Sequence, residues 1–243
     1  MTDVAGTAGA VTVADASLGE PVLDNPIWAS LTGPHAGFAQ RVGNAVRYRP
    51  EVGPFLALLD HHDPQSWVDA ATLVGSGGTF TVGGRGVQVP AGWAWTSLGG
   101  GVQLVDVSLD KAPDSEASRL GADDVPEMMD LVARTRPGPF AVRTVELGCY
   151  LGIRRGGRLV AMAGERMHPA GWSEISAVCT DPDFRGQGLG TRLVSAVAAV
   201  ISGRGDRVFL HASAANTNAI RLYESLGFRL RMRTELLTVT VPQ

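Results

Sequence analysis

Lysine is nearly missing from this chain: of 21 basic side chains in 243 residues, Lys111 is the only lysine. A P-loop needs G-x-x-x-x-G-K-[ST], and Lys111 stands in no such run, so that phosphate site is excluded. Cysteine is scarce too. Cys149 and Cys179 show neither C-x-x-C spacing nor the density of a secreted disulfide scaffold, and both are expected to be reduced and buried. No segment approaches the roughly 18 uninterrupted apolar residues of a membrane span. The N-terminus lacks the basic start and apolar core of a signal peptide, so no membrane partner and a cytoplasmic location are expected. A net charge of -3 without a basic run gives no support for a nucleic-acid partner. The length, at 44% hydrophobic and 19% charged residues, suffices for one large or two small globular domains.

Glycine, by contrast, is plentiful, and one glycine stretch organises the rest. In Glu174 to Gly190, EISAVCTDPDFRGQGLG, the segment Ile175 to Thr180 reads as a buried strand that stops at Asp181-Pro182. Arg185, Gly188 and Gly190 then form R-x-x-G-x-G, and Leu193, Val197 and Ile201 follow at helical spacing. The glycines therefore sit on the first turn of a helix, whose free amides and dipole favour an anion. Amides from Gln187 to Thr191 can curl around phosphate oxygens, and Arg185 can add a charge-assisted bond. Taken alone, the loop is equally explained as a solvated turn before a surface helix. A dinucleotide fingerprint fits poorly, because its third glycine would fall on Thr191 or Leu193.

A second motif follows about 25 residues later: Asn216-Thr217-Asn218-Ala219-Ile220-Arg221-Leu222-Tyr223-Glu224-Ser225-Leu226-Gly227-Phe228. Together the two resemble the GNAT superfamily of acyl-CoA-dependent N-acyltransferases, over residues 117–240. The resemblance implies an α/β fold whose mixed sheet splays open between its fourth and fifth strands and takes acetyl-CoA as co-substrate in the cleft. It places the cofactor on Val178, Thr180, Arg185, Gly186, Gln187, Gly188, Leu189, Gly190, Thr191 and Asn216. The Val178 amide would polarise the thioester carbonyl.

Two side chains are expected to carry the chemistry. Tyr223 shares a helical face with Asn216 and Ile220, and its phenol can protonate the leaving thiolate. Glu174 shares a strand face with Ser176 and Val178 by two-residue alternation. Burial would raise its pKa toward that of a general base; a strand-edge glutamate near solvent or a salt bridge to an arginine is the competing reading. The resemblance favours the base, because Glu174 precedes Arg185 by the eleven residues seen in histone-acetylating members. His211, in the apolar strand Val208 to Ala212, reads as a core residue and is given no task. Cys179 has no neighbouring histidine in sequence to activate it, so direct transfer in a ternary complex is expected rather than an acyl-enzyme.

The remaining segments are read from periodicity and punctuation. Residues 1–19 read as a disordered tail and 20–113 as a smaller α+β domain, with a degenerate copy of the same fold as one reading of it, while the resemblance makes 114–243 the GNAT domain. In the N-terminal part, helices are expected at 27–31, 38–48, 55–59 and 67–73, and strands at 79–82, 87–89, 93–95 and 102–107. Trp28, Trp67, Trp93 and Trp95 should pack a core. His61-His62-Asp63 reads as a solvated loop, with no metal expected. Lys111 to Ala117 reads as a linker. In the second part a helix is expected over 123–133, a helical piece over 140–145, and a hairpin through Gly156-Gly157. In the resembled family this last helical piece lies over the acceptor site, which makes Phe140, Arg143 and Glu146 candidate contacts for the amine acceptor, a small molecule or peptide; a homodimer is possible. The competing class is a non-catalytic acyl-CoA sensor or interaction module.

Overall fold

The computed structural model describes residues 19–243, so the tail expected over 1–19 lies, apart from Gly19, outside the described residues. Pro26–Leu31 forms α1, whose first turn is closed by the Asn25 side chain accepting from the Trp28 amide. The stretch expected to be helical at 38–48 is instead a hairpin, β1 (Ala39–Val42) and β2 (Ala45–Tyr48). The physical reason is Gly43-Asn44: Gly43 takes φ +47, and the Asn44 amide donates to Asp69 at 2.7 Å, a two-residue turn that a helix cannot accommodate. The helix expected at 55–59 is strand β3 (Leu56–Leu58), all of it buried. β1, β2 and β3 make a small antiparallel sheet. α2 (Pro64–Val74) follows as expected, capped by Asp63.

The main sheet begins with β4 (Thr79–Gly84) and β5 (Ala94–Asp106). Residues 87–89 form no strand, and the two strands expected at 93–95 and 102–107 are one, running straight through Gly99-Gly100-Gly101. Glycine here permits close approach rather than a break: a Cβ on Gly101 would lie 2.6 Å from the Thr234 hydroxyl. Then come β6 (Ser118–Leu120), α3 (Val125–Thr135), the hairpin β7 (Tyr150–Arg155) and β8 (Arg158–Glu165), and β9 (Trp172–Thr180). α4 (Leu189–Gly203), β10 (Arg207–Ser213), α5 (Thr217–Ser225) and β11 (Phe228–Thr240) complete the chain. The eight strands lie in the order β4-β11-β5-β10-β9-β8-β7-β6, antiparallel except for β9 beside β10. This is the mixed sheet expected.

The boundary at 113/114 falls between strands of that one sheet, because β5 lies between β10 and β11. The linker reading of 111–117 meets a similar fact. Arg192 of α4 binds Asp114 at 2.6 and 2.8 Å, and Ser195 accepts from the Ala112 amide, so this segment is pinned to the helix.

Apolar periodicity explains the layering. Leu193, Val197 and Ile201 of α4 are fully buried against Ile153, Val160, Val208 and Leu210 on one face of the sheet, each worth about 1.5 to 3 kcal/mol of burial. The other face, with Val105, Trp172 and Phe209, is covered by Leu23, Ile27, Tyr48 and Phe55 from the N-terminal part. Trp67 and Trp93 pack with Phe80, whereas Trp95 is 55% exposed, contrary to the core expected for it. It lies on the end of β5 beyond the reach of β10.

Candidate active site

The site begins where pairing ends. β9 and β10 keep parallel register from Trp172↔Arg207 to Ile175↔Leu210 and no further, so Ser176 to Thr180 and His211 to Ser213 diverge. The opening leads into a cleft of about 690 Å³. On the β8 side β9 carries a bulge: Ser176 faces Gly164 and Cys179 faces Met162, three steps on one strand against two on the other. Ala177 makes that step with φ +53. The alternation expected to align Glu174, Ser176 and Val178 therefore fails past Ala177. Cys179 takes the face of Ser176, while Val178 joins Ile175 on the side packed by α4.

The glycine loop turns as its composition requires, with Gly186 at φ +77 and Gly188, the N-cap of α4, at φ +72. Among the described residues nothing accepts from the amides of residues 186–191; the next amide, Arg192, donates to the Gly188 carbonyl. Gly186, Gln187 and Gly188 are exposed at the rim, Thr191 is half-buried, and the Leu189 side chain is buried in the core. Val178, Thr180, Arg185, Gly190, Asn216 and Tyr223 all line the cleft. Asn216 also caps α5 by accepting from the Ala219 amide at 3.1 Å.

Tyr223 rests its ring on Phe228 and is 8% exposed, with no protein partner on its hydroxyl among the described residues. Burial pushes its pKa up to about 12, so it stays a proton donor at neutral pH. Burial likewise pushes the Cys179 thiol up to about 11, which keeps it from acting as a thiolate.

Glu174 corrects an expectation. Its carboxylate is fully buried, and it is absent from the described residues lining the cleft. Arg166 grips it with two bonds of 2.6 and 2.8 Å, and His211 Nδ1 approaches at 2.8 Å. Burial alone would raise its pKa, but the Arg166 charge and the hydrogen bonds outweigh burial and lower it to about 2. The raised pKa read from the sequence is thus overturned by a guanidinium on the neighbouring strand end.

The acceptor candidates shift as well. Phe140 packs edge-on against Tyr150, and Arg143 is bound to Glu146 and Glu51. The cleft wall is made by the preceding stretch, residues 135–139. Asp24, Pro26, Ile27 and Phe55 of the N-terminal part line the same cleft. Arg166 lies over the Phe55 ring, 4.9 Å from its centroid. On the exposed loop before α2, Asp60, His61 and His62 bring ligand atoms within 4.8 Å of one another, while Asp63 is spent on capping.

Sequence reading passed over four residues that the fold gathers here: His211, Arg166, Gln103 and Arg231. His211 follows the last β9–β10 pair and sits opposite Gln103 of β5. Gln103 is fully buried, its amide nitrogen 2.9 Å from the Leu23 carbonyl and 3.2 Å from His211 Nε2, and its oxygen accepts from Arg231 at 2.9 Å. The available signal was a polar residue in each of two apolar strands, at positions where a buried carboxylate would need partners.

Residues 150–237 match a family model described as FR47-like protein. A crystal structure of a GNAT-family protein from Novosphingobium aromaticivorans is 38% identical, covering 92% of this chain and 100% of that one, with a TM-score of 0.81. A mycothiol acetyltransferase from Thermobispora bispora is 43% identical over 83 residues, and an N-alpha-acetyltransferase RimI from Mycobacterium tuberculosis is 36% identical over 84. These matches span 28% and 51% of those two proteins. With the full-length likeness to the Novosphingobium structure and the sheet opened beside α4, this chain belongs to the GNAT family of acetyltransferases.

Proposed function

We propose that this protein transfers an acetyl group from acetyl-CoA directly to a primary amine of a small molecule or peptide, within a ternary complex. The observation that carries the reading is one cleft holding three things together that have no partner among the described residues: the amides at the tip of α4, the edge of β9 at Val178, and the hydroxyl of Tyr223. Residues 186–191 and Arg185 would hold the diphosphate, since a helix tip with left-handed glycines presents N–H groups without a Cβ in the way. The Val178 amide would stabilise charge on the thioester oxygen, and Tyr223 would protonate the departing sulfur. The thiol of Cys179, kept protonated by burial, favours direct transfer over an acyl-enzyme.

The amine would enter along the part of the cleft lined by Asp24, Ile27 and Phe55. The N-terminal part thereby helps choose the acceptor. The test pairs calorimetry with acetyl-CoA against a broad amine panel. The wild type is expected to bind acetyl-CoA and acetylate at least one class of amine. In Gly188→Asp, a carboxylate at a left-handed turn on the anion site should abolish binding. Intact binding in that variant would remove the cofactor from this helix tip, and binding without turnover of any amine would leave a sensor.

A further inference from the structure

We infer that His211 is the base that takes the proton from the acceptor amine, with Glu174 acting as a positioning residue behind it. The inference rests on the transferase reading above and deepens it. Its ground is a chain of hydrogen bonds whose direction is forced from one end. Arg231 has only donors, so the oxygen of Gln103 must face it, and the Gln103 amide N–H₂ then points to the Leu23 carbonyl and to His211 Nε2. Nε2 must therefore be the bare nitrogen. The proton is left on Nδ1, where it is donated to Glu174 at 2.8 Å.

Position agrees with this polarity. Glu174 is sealed off, but His211 lines the cleft, with 21% of its side chain exposed, at the first β10 residue past the splay. The charged and titratable groups around the pair are Arg166 and His168 just after β8, Tyr48 from β2, Tyr150 from β7, and Arg231 through Gln103. An incoming ammonium would replace the 3.2 Å Gln103 contact as donor to Nε2.

The step balances. The ammonium gives one proton to Nε2, and the amine lone pair forms the C–N bond as the thioester C=O opens to an oxyanion. The oxyanion closes, the C–S bond breaks, and Tyr223 gives its proton to sulfur. The second nitrogen proton restores the phenol, and the imidazolium, steadied by Glu174, releases its proton to solvent. One proton is released per turnover.

The deciding experiment measures kcat/KM against pH for the wild type, His211→Gln and Glu174→Gln, with the best amine of the panel. For His211→Gln a loss on the order of 10²-fold at neutral pH is expected, with KM for acetyl-CoA and the circular dichroism spectrum kept. Its rate should climb with pH as solvent supplies neutral amine. Glu174→Gln should keep an acidic limb but move it to lower pH. An unchanged profile in His211→Gln, or a limb lost only in Glu174→Gln, would overturn the assignment. Ring nitrogen shifts of His211 by NMR in the wild type need no folded variant: the Nδ1–H tautomer is expected, and the Nε2–H tautomer would sink the proposal. If the wild type binds acetyl-CoA but acetylates nothing, the transferase reading falls and His211 loses its task with it; turnover with a normal His211→Gln profile removes His211 alone.

Discussion

Tyr223 puts its ring to structural use and leaves its hydroxyl free, and the two can be separated by experiment. Because no protein group binds that hydroxyl among the described residues, Tyr223→Phe should leave the melting temperature nearly unchanged. Loss of the proton donor should lower kcat by on the order of 10²-fold, with acetyl-CoA affinity kept. Steady-state kinetics beside calorimetry check both halves. Glu174 has a different signature. Its folded pKa, about 2, lies below the ordinary 4.5, so its contribution to stability is present above that ordinary value and is lost as pH falls toward the folded one. Urea unfolding between these limits should show stability dropping with acid, and Glu174→Gln should flatten the drop. That both residues sit in buried segments was legible in the sequence. The state of Glu174 was not, because Arg166 reaches it across a register that one-dimensional spacing does not reveal.

At the level of strands and helices, packing tolerances set the next prediction. A methyl group on Gly164 would lie 2.2 Å from the fully buried Tyr150 ring, so Gly164→Ala forces β8 and β7 apart. Overpacking of this kind costs about 1 to 3 kcal/mol, and thermal melts should show the loss. The helices with strong apolar spacing, α3 and α4, and the hairpin through Gly156-Gly157 were readable in advance, since local pattern and final burial agree there. The misreadings cluster at two glycine sites: a two-residue turn at Gly43 inside a segment read as helix, and a long strand that runs through Gly99 to Gly101 where a break was read. Local turn chemistry decided the first and non-local pairing the second.

For the molecule as a whole, the central fact is that β5 comes from the N-terminal part and sits inside the sheet. Its Val102, Leu104 and Val105 are buried, and β10 and β11 both pair with it. A fragment of residues 114–243, although it carries both motifs, should therefore lack a cooperative unfolding transition and near-ultraviolet dichroism. A sharp melt of that fragment would contradict this. The composition could not announce such sharing, because a strand borrowed from another segment looks like any other strand.

The left-handed alanine at 177 bears on how this cleft could change over time. It acts as a half-period phase shift in β9: upstream residues keep one beat, downstream residues the other. Deleting Ala177 would leave two steps against two, with Val178 and Cys179 on their present faces, whereas flattening the bulge with every residue kept would swap them across the sheet, so β9 tolerates a lost residue there better than a lost left-handed turn.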